Sequence, residues 1–451
     1  MSVNRYRISV LTIVIALSFG LAQRSVALPG LVARAGGSGA ASEVGVTPDQ
    51  IRIGVVADVD SPLAPGVFKR SVDAVQAWAK LVNQQGGLAG RKVIVDFIDS
   101  KLDASETRNA IIKACANDFA IVGTSALFLN NVDDLVGCPD ASGKATGLPD
   151  LPALALESAQ KCSPVSFPIT DTVLDCATFK PGAPETYRTY VGDIEFLKSK
   201  YKDLHGINLL TAGLKSTRDT SLVDATGFFK AGVKKDGAGT YDGSLNAPQS
   251  FYTPMVKVLK DNGSTFISPA LPVEEYAKVK REAKFQGVNT VKVWHCRSTC
   301  YDPKFLQTAG ADADGTYVTI SYLPYEDQKQ SPELRTFLKA VGGQKNTDGY
   351  GILSWVASRA FEDAVNATVK ANGKNGLTRA NFLAQMKQLK NFTANGLIGP
   401  KDVGAKTPSG CGVVLQVQSG KFVRVDPTKP GTFDCGVKSN SIASYQMDLL
   451  P

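Results

Sequence analysis

Strands and helices alternate through both halves of this chain, and that alternation predicts an α/β protein of two lobes. Each lobe is expected to be a parallel-rich sheet flanked by helices, the chain crossing between them. Three observations carry this expectation. Residues 46–103 read as strand, helix, strand, a βαβ unit that requires a parallel sheet with a right-handed crossover. The same alternation restarts after residue 205. Finally, 451 residues are more than one hydrophobic core ordinarily organises.

The first unit opens with an apolar run at 51–57, after the turn residues Thr47, Pro48 and Asp49. A loop bearing Asp58, Asp60, Ser61, Pro62 and Pro65 leads to Phe68, Val72, Val75, Ala79 and Val82, whose spacing is helical. Gly86 and Gly87 end that helix, and 93–98 returns as a strand. Asp103 and Glu106 stand at capping-box spacing for a helix that turns Thr107, Ile111 and Ala114 or Cys115 inward. A buried strand at 120–123, a helix at 127–136, an irregular excursion at 137–150 and a short strand at 154–156 are expected next.

Residues 161–185, with Cys162, Cys176 and four prolines, read as the first crossing between lobes. A helix at 185–201 would bury Tyr187, Tyr190, Val191, Ile194 and Leu197. Strands at 207–210, 239–241, 265–267, 291–294 and 315–320 then alternate with helices at 219–231, 254–261 and 273–286. Residues 321–326 are a second crossing. A long helix at 349–371 presents Ile352, Leu353, Val356, Ala360 and Ala364 on one face, and a short helix follows at 378–389. The runs 412–417 and 422–425 around Ser419-Gly420 form a terminal hairpin. The first lobe is therefore expected to hold 47–170 and 323–390, and the second 171–322 and 391–440, with 441–451 as a C-terminal tail.

Residues 1–27 read as a secretory signal: Arg5 and Arg7, an apolar run at 8–22, and Ser25-Val26-Ala27 as a cleavage site. That run is short and interrupted, so no stable transmembrane segment is expected after cleavage. The Gly/Ser/Ala-rich stretch 28–46 reads as a flexible linker. The net charge of +8 is spread among interspersed acids with no long basic run, which argues against nucleic-acid binding. Eight cysteines fit an exported, disulfide-bonded protein. Pairing of neighbours (Cys115–Cys138, Cys162–Cys176, Cys296–Cys300, Cys411–Cys435) is the simplest scheme, although sequence does not fix connectivity. Cys296 and Cys300 beside His295 offer zinc as a rival, weakened because the chain holds only two histidines.

In open parallel sheets, ligands bind beyond the carboxyl ends of strands. That rule selects Asp60 and Ser61, Thr124-Ser125-Ala126 and Glu157-Ser158 in the first lobe. In the second it selects Thr211, Ser268 and Trp294-His295. Hydroxyls at Thr124 and Ser125 beside helix amides would suit a ligand carboxylate; alternatively Ser125 caps its own helix. Glu157 would meet an ammonium, or else is a solvated loop acid. Trp294 and His295 would wall the cleft, with core packing as the plainer role for Trp294. No nucleophile elbow, HExxH, P-loop or dinucleotide fingerprint is present, so no catalytic residue, metal or cofactor is assigned.

The stretch Gln50 to Asp58, then Asn83-x-x-Gly86-Gly87-Leu88-x-Gly90-Arg91-Lys92, resembles the amino-terminal signature of the type I periplasmic solute-binding proteins. These are the branched-chain amino-acid-binding proteins of ABC importers and their relatives. The resemblance covers 47–125 closely and continues in order to about residue 425; the run 392–400 resembles the family's third crossover, which with the two crossings above implies a three-crossover hinge in a type I periplasmic-binding-protein fold. It implies an exported protein, periplasmic or at the cell envelope, that captures a small polar ligand by hinge closure. That ligand would be an amino acid, an amide or a related organic acid, delivered to an ABC transporter permease. It also implies ligand contact at the Thr124-Ser125 loop. The chain departs from the family at Ala126-Leu127-Phe128, at Leu156-Glu157-Ser158-Ala159, and in the second-lobe loops, which lack an evident tyrosine or acid. A sensing module working with a separate receptor is the alternative, and an exported hydrolase a distant third.

Overall fold

The computed structural model describes residues 43–436, apart from 63, 170–173, 212, 214 and 409, and then 442–446. The expected signal and most of the expected linker lie outside the described residues. In chain order the first elements are β1 (Gln50–Ala57), α1 (Lys69–Gln84), β2 (Lys92–Asp99), α2 (Ala104–Asn117), β3 (Ala120–Val122), α3 (Asp133–Val136), β4 (Asp150–Leu151) and α4 (Ser158–Cys162). Next come β5 (Thr186–Tyr190), α5 (Gly192–Lys200), β6 (His205–Thr211), α6 (Lys215–Lys230), β7 (Lys234–Gly243), α7 (Thr253–Asn262), β8 (Phe266–Pro269), α8 (Val273–Phe285) and β9 (Val293–Cys296). The chain closes with α9 (Pro303–Ala309), β10 (Thr316–Ile320), α10 (Pro332–Val341), α11 (Gly349–Asn372), α12 (Arg379–Met386), β11 (Val413–Gln418), β12 (Lys421–Asp426) and β13 (Ile442–Gln446).

Two large sheets organise these elements, with β5 and β13 forming a separate two-stranded one. The first is parallel, in the order β2-β1-β3-β4. The second runs β12-β11-β10-β9-β8-β6-β7, parallel from β10 to β7 and closed at its other edge by the antiparallel β11–β12 hairpin. Ser419 and Gly420 turn that hairpin with φ of 50° and 69°, the left-handed pair a two-residue turn demands. β1 is an apolar run because helices cover both of its faces: Ile51, Ile53, Val55, Val56 and Ala57 are fully buried.

α1 packs against α11, with Phe68 edge-on to Tyr350 at 4.8 Å and Trp78 donating to Glu362 at 3.0 Å. Gly123, at φ 74°, lets β3 end against that layer; a Cβ there would meet Val75 at 2.8 Å and Ser354 at 3.1 Å. Asp103 caps α2 through the amides of Ser105 and Glu106, as its spacing predicts. The second and third crossings lie side by side, with the Leu323 amide donating to the Leu397 carbonyl at 2.9 Å. All four disulfides join neighbouring cysteines: Cys115–Cys138, Cys162–Cys176, Cys296–Cys300 and Cys411–Cys435. Among the described residues there is no metal-binding cluster, and no helix is long and apolar enough to cross a membrane.

Several expectations need correction. Residues 127–132 are not helical: the Leu127 amide donates to Asp58 and the Asn131 side chain accepts from Asp133, so helix begins only at α3. Residues 186–190 form a strand, because Thr, Tyr, Arg, Thr and Tyr pair antiparallel with β13. Helix starts only at Gly192, and the expected tail supplies the partner strand. Of the short strand expected at 154–156, Leu154 makes a single parallel bridge to Ser125, and the strand beside β3 is instead β4, where fully buried Asp150 is satisfied by side chains. Packed structure begins at Glu43 rather than beyond 46. Its carboxylate accepts from the amides of Ala141 and Arg379, both at 2.9 Å. Arg379, itself fully buried, donates to the carbonyls of Cys115, Asp118, Phe119 and Pro139. α9 and α10 were not expected; each starts with proline behind a capping side chain, Asp302 and Ser331 respectively.

Candidate ligand-binding cleft

A cleft opens between the two sheets. Its inner compartment, about 210 Å³, is walled on one side by Leu154, Leu156 and Lys161, which follow β4. The opposite wall comes from β5, from α6 and from the ends of second-sheet strands: Tyr190, Thr220, Asp224, Arg297, Thr319 and Ser321. Leu156, Lys161 and Thr220 also line an outer groove of about 820 Å³, so the two spaces are continuous. Glu157, Ser158, Glu185 and Arg218 are among that groove's other walls.

The first-lobe wall is built from Asp150 outwards. Thr124 donates to Asp150 at 2.8 Å, Ser166 at 2.7 Å and the Gln160 amide at 3.0 Å. Burial raises the Asp150 pKa, and these hydrogen bonds oppose the rise. Gln160 thereby pins α4 from below, and the Cys162–Cys176 disulfide pins its end. What α4 presents to the cleft is Lys161. Only 5% of this residue is exposed, and among the described residues no hydrogen-bond or ion-pair partner meets its ammonium. Burial pulls its pKa down to about 8, against the charges of Glu185, Glu157, Asp224 and Asp219. Glu157 precedes α4 without capping it, and Arg188 points into the inner compartment; neither has a side-chain partner among the described residues.

The second-lobe wall is electrostatically closed. Asp193 is fully buried and accepts from Arg297 Nη1 and His295 Nε2, both at 2.9 Å. Burial pushes the Asp193 pKa up, but the Arg297 charge and the histidine bond outweigh it and hold the group at about 2. Arg297 also donates to the Tyr190 carbonyl at 3.1 Å and to Asp224 at 3.4 Å, and lies over the Phe228 ring. The other ring nitrogen of His295 meets Ser268 Oγ at 2.9 Å. With Nε2–H donating to Asp193, Nδ1 accepts from the serine. A space of about 10 Å³ separates Ser268, Arg297 and Asp224 from the amide of Asn208, which is 2% exposed and lacks partners among the described residues.

Of the residues selected from sequence, Glu157 and Ser158 line the cleft. Thr124 and Ser125 are fully buried: Thr124 serves Asp150, and Ser125 shares a 2.9 Å hydrogen bond with Ser71. Ser125 does not cap a helix, since none follows it directly. Ala126 and Ser61 are buried too, while Asp60 is exposed with its amide on Asp99. Thr211 donates to the Ala270 carbonyl. Trp294 packs on Tyr276 beneath the Lys280 ammonium, 5.1 Å from the ring. His295 and Ser268 sit behind the wall rather than on it. Lys161, Arg188, Asp224 and Arg297 went unselected from sequence. Arg297 follows the selected pair by two residues, because β9 runs on to Cys296. Lys161 lies one helical turn beyond Glu157, the spacing in the sequence that points to it.

A family model described as periplasmic binding protein matches residues 50–174 and 209–421. No curated protein matches the sequence. Among solved structures, a leucine binding protein of Thermotoga maritima superposes with a TM-score of 0.60 at 15% identity, covering 83% of this chain and 97% of the other. A branched-chain amino acid transporter substrate binding protein of Streptococcus pneumoniae, in complex with isoleucine, gives 0.61 at 15%, covering 84% and 100%. A fatty acid ABC transporter substrate-binding protein of Thermomonospora curvata gives 0.63 at 17%, covering 85% and 92%. Parallel-rich sheets, paired crossings and a cleft walled from both sides agree with that match, and the chain belongs to the periplasmic binding protein family.

Proposed function

We propose that this protein is exported, captures a small polar solute between its lobes, and delivers it to the permease of an ABC importer. The solute class is an amino acid, an amide or a related organic acid. The observation that carries this reading is the inner compartment. Its walls come from both sheets, so a solute there touches both lobes and favours their closed arrangement by differential affinity. The relatives whose names specify leucine, isoleucine or a fatty acid lend support to a solute of this size.

A hydrolase is the second reading, favoured by the chain of contacts Ser268–His295–Asp193. Against it, Ser268 is 5% exposed and borders a space of about 10 Å³, too small for an ester or amide substrate. The test is a thermal-shift screen of the oxidised protein after partial unfolding and refolding, which strips carried-over solute. The panel holds branched-chain and aromatic amino acids, amides, urea, polyamines and organic acids. A solute at a hundred times its dissociation constant adds about 2.7 kcal/mol of stability. Silence across the panel from a demonstrably folded protein would overturn the reading.

A further inference from the structure

The charges lining the cleft are not evenly matched. Arg297 and Asp224 answer each other, Asp219 pairs with Lys215, and Glu185 accepts from Tyr187. Left without partners among the described residues are Lys161, Arg188 and Glu157, two cations against one anion. Lys161 is the buried member of the three, and it lines both the inner compartment and the outer groove. Glu157 stands four residues before it, at ion-pair spacing, yet no salt bridge joins them.

Burying most of a lysine side chain without a directly paired anion is costly, and proteins ordinarily pair such a group. The backbone around Lys161 is held firmly nonetheless, by Gln160 on Asp150 and by the Cys162–Cys176 disulfide. A nearly buried cation on a fixed backbone, with no direct hydrogen-bond or ion-pair partner among the described residues and placed at the junction of two spaces, suits an anion that comes and goes. We propose that Lys161 is the anion seat of the cleft, with Arg188 as a second contact. The captured solute then carries a carboxylate that its neutral amide does not replace. This inference rests on the capture reading and narrows it to acids, zwitterionic amino acids included.

The experiment is calorimetric titration of the oxidised, refolded full chain with matched pairs. These are L-leucine and L-leucinamide, 4-methylpentanoate and 4-methylpentanamide, phenylacetate and phenylacetamide, and octanoate and octanamide. Each is repeated on Lys161→Met and Lys161→Arg, with circular dichroism and a urea midpoint as folding controls. An acid is expected to bind about 10- to 100-fold more tightly than its amide. Lys161→Met should erase that preference, and Lys161→Arg should retain most of it. An amide that binds as well as its acid, with affinity indifferent to Lys161→Met, overturns the anion seat while solute capture stands. If nothing in the set binds and X-ray scattering shows no compaction, capture and anion seat fall together.

Discussion

The two walls of the cleft treat charge in opposite ways. On the second-lobe side, Asp193, Arg297, His295, Ser268 and Asp224 satisfy one another, and Asp193 is more acidic than an ordinary carboxyl. On the first-lobe side, Lys161 is nearly as buried as Asp193 but makes no direct hydrogen bond or ion pair among the described residues, the carboxylates of Glu185, Glu157, Asp224 and Asp219 acting on it from further away. A satisfied network gives a rigid wall and has little left to offer a solute, whereas an unsatisfied charge offers differential affinity. Stability and binding should therefore map to different walls.

The largest effect is expected from breaking the closed wall. Asp193→Ala leaves fully buried His295 and half-buried Arg297 without their shared anion and should cost about 3 kcal/mol of unfolding free energy, read from urea titration. Opening the Cys162–Cys176 disulfide by a double serine substitution should cost about 3 kcal/mol and weaken solute binding through α4. Equal loss of stability with untouched affinity would refute that role for the disulfide.

pH sharpens the same contrast. The folded Asp193 carboxyl titrates at about 2, below its ordinary 3.8. Its stabilisation is therefore complete above about pH 4 and lost as pH falls through 2, a slope worth about 2 kcal/mol that Asp193→Asn should flatten. Lys161 runs the other way. Its folded pKa is about 8 against an ordinary 10.5, so its charge destabilises the ligand-free fold at neutral pH. That penalty is relieved as pH climbs from about 8 to 10.5. Glu157, Glu185, Asp219, Asp224 and Arg188 surround it in the cleft. Affinity for an acid should consequently fall about tenfold per pH unit above pH 8, measured by calorimetry, and Lys161→Met should remove the dependence. The smallest effect belongs to Ser268→Ala: about 1 kcal/mol of stability and no change in any ester-hydrolysis background. Loss of turnover in that variant would instead favour the hydrolase reading.

The contrast also marks what sequence could show. Strand–helix alternation revealed the sheets because parallel strands are buried on both faces and read as continuous apolar runs, as β1 does. It failed at 186–190, where Tyr187 and Tyr190 fall at helical spacing although the partner strand lies more than 250 residues later in sequence. Buried polar groups were the harder part. Asp150 looks like a loop acid until Thr124, Gln160 and Ser166 are seen to converge on it, and Ser125 looks like a ligand contact until Ser71 is found facing it. Strand-end reasoning selected Glu157 and Ser158, which line the cleft, together with Thr124, Ser125, Ser268 and His295, which are buried behind its walls. Which side chain of a loop faces the cleft depends on packing behind it, and for Lys161 that packing includes a disulfide.

The most direct measurement is the unfolding free energy of the wild type and Lys161→Met at pH 7, with and without a saturating acid found in the screen. Without solute, Lys161→Met should be at least as stable as the wild type, because it removes an unpaired buried charge. With solute, the wild type should gain about 2.7 kcal/mol or more at a hundredfold excess over the dissociation constant, and the variant little. A variant that is clearly less stable without solute, yet gains as much from it, would show that Lys161 serves the fold and not the ligand.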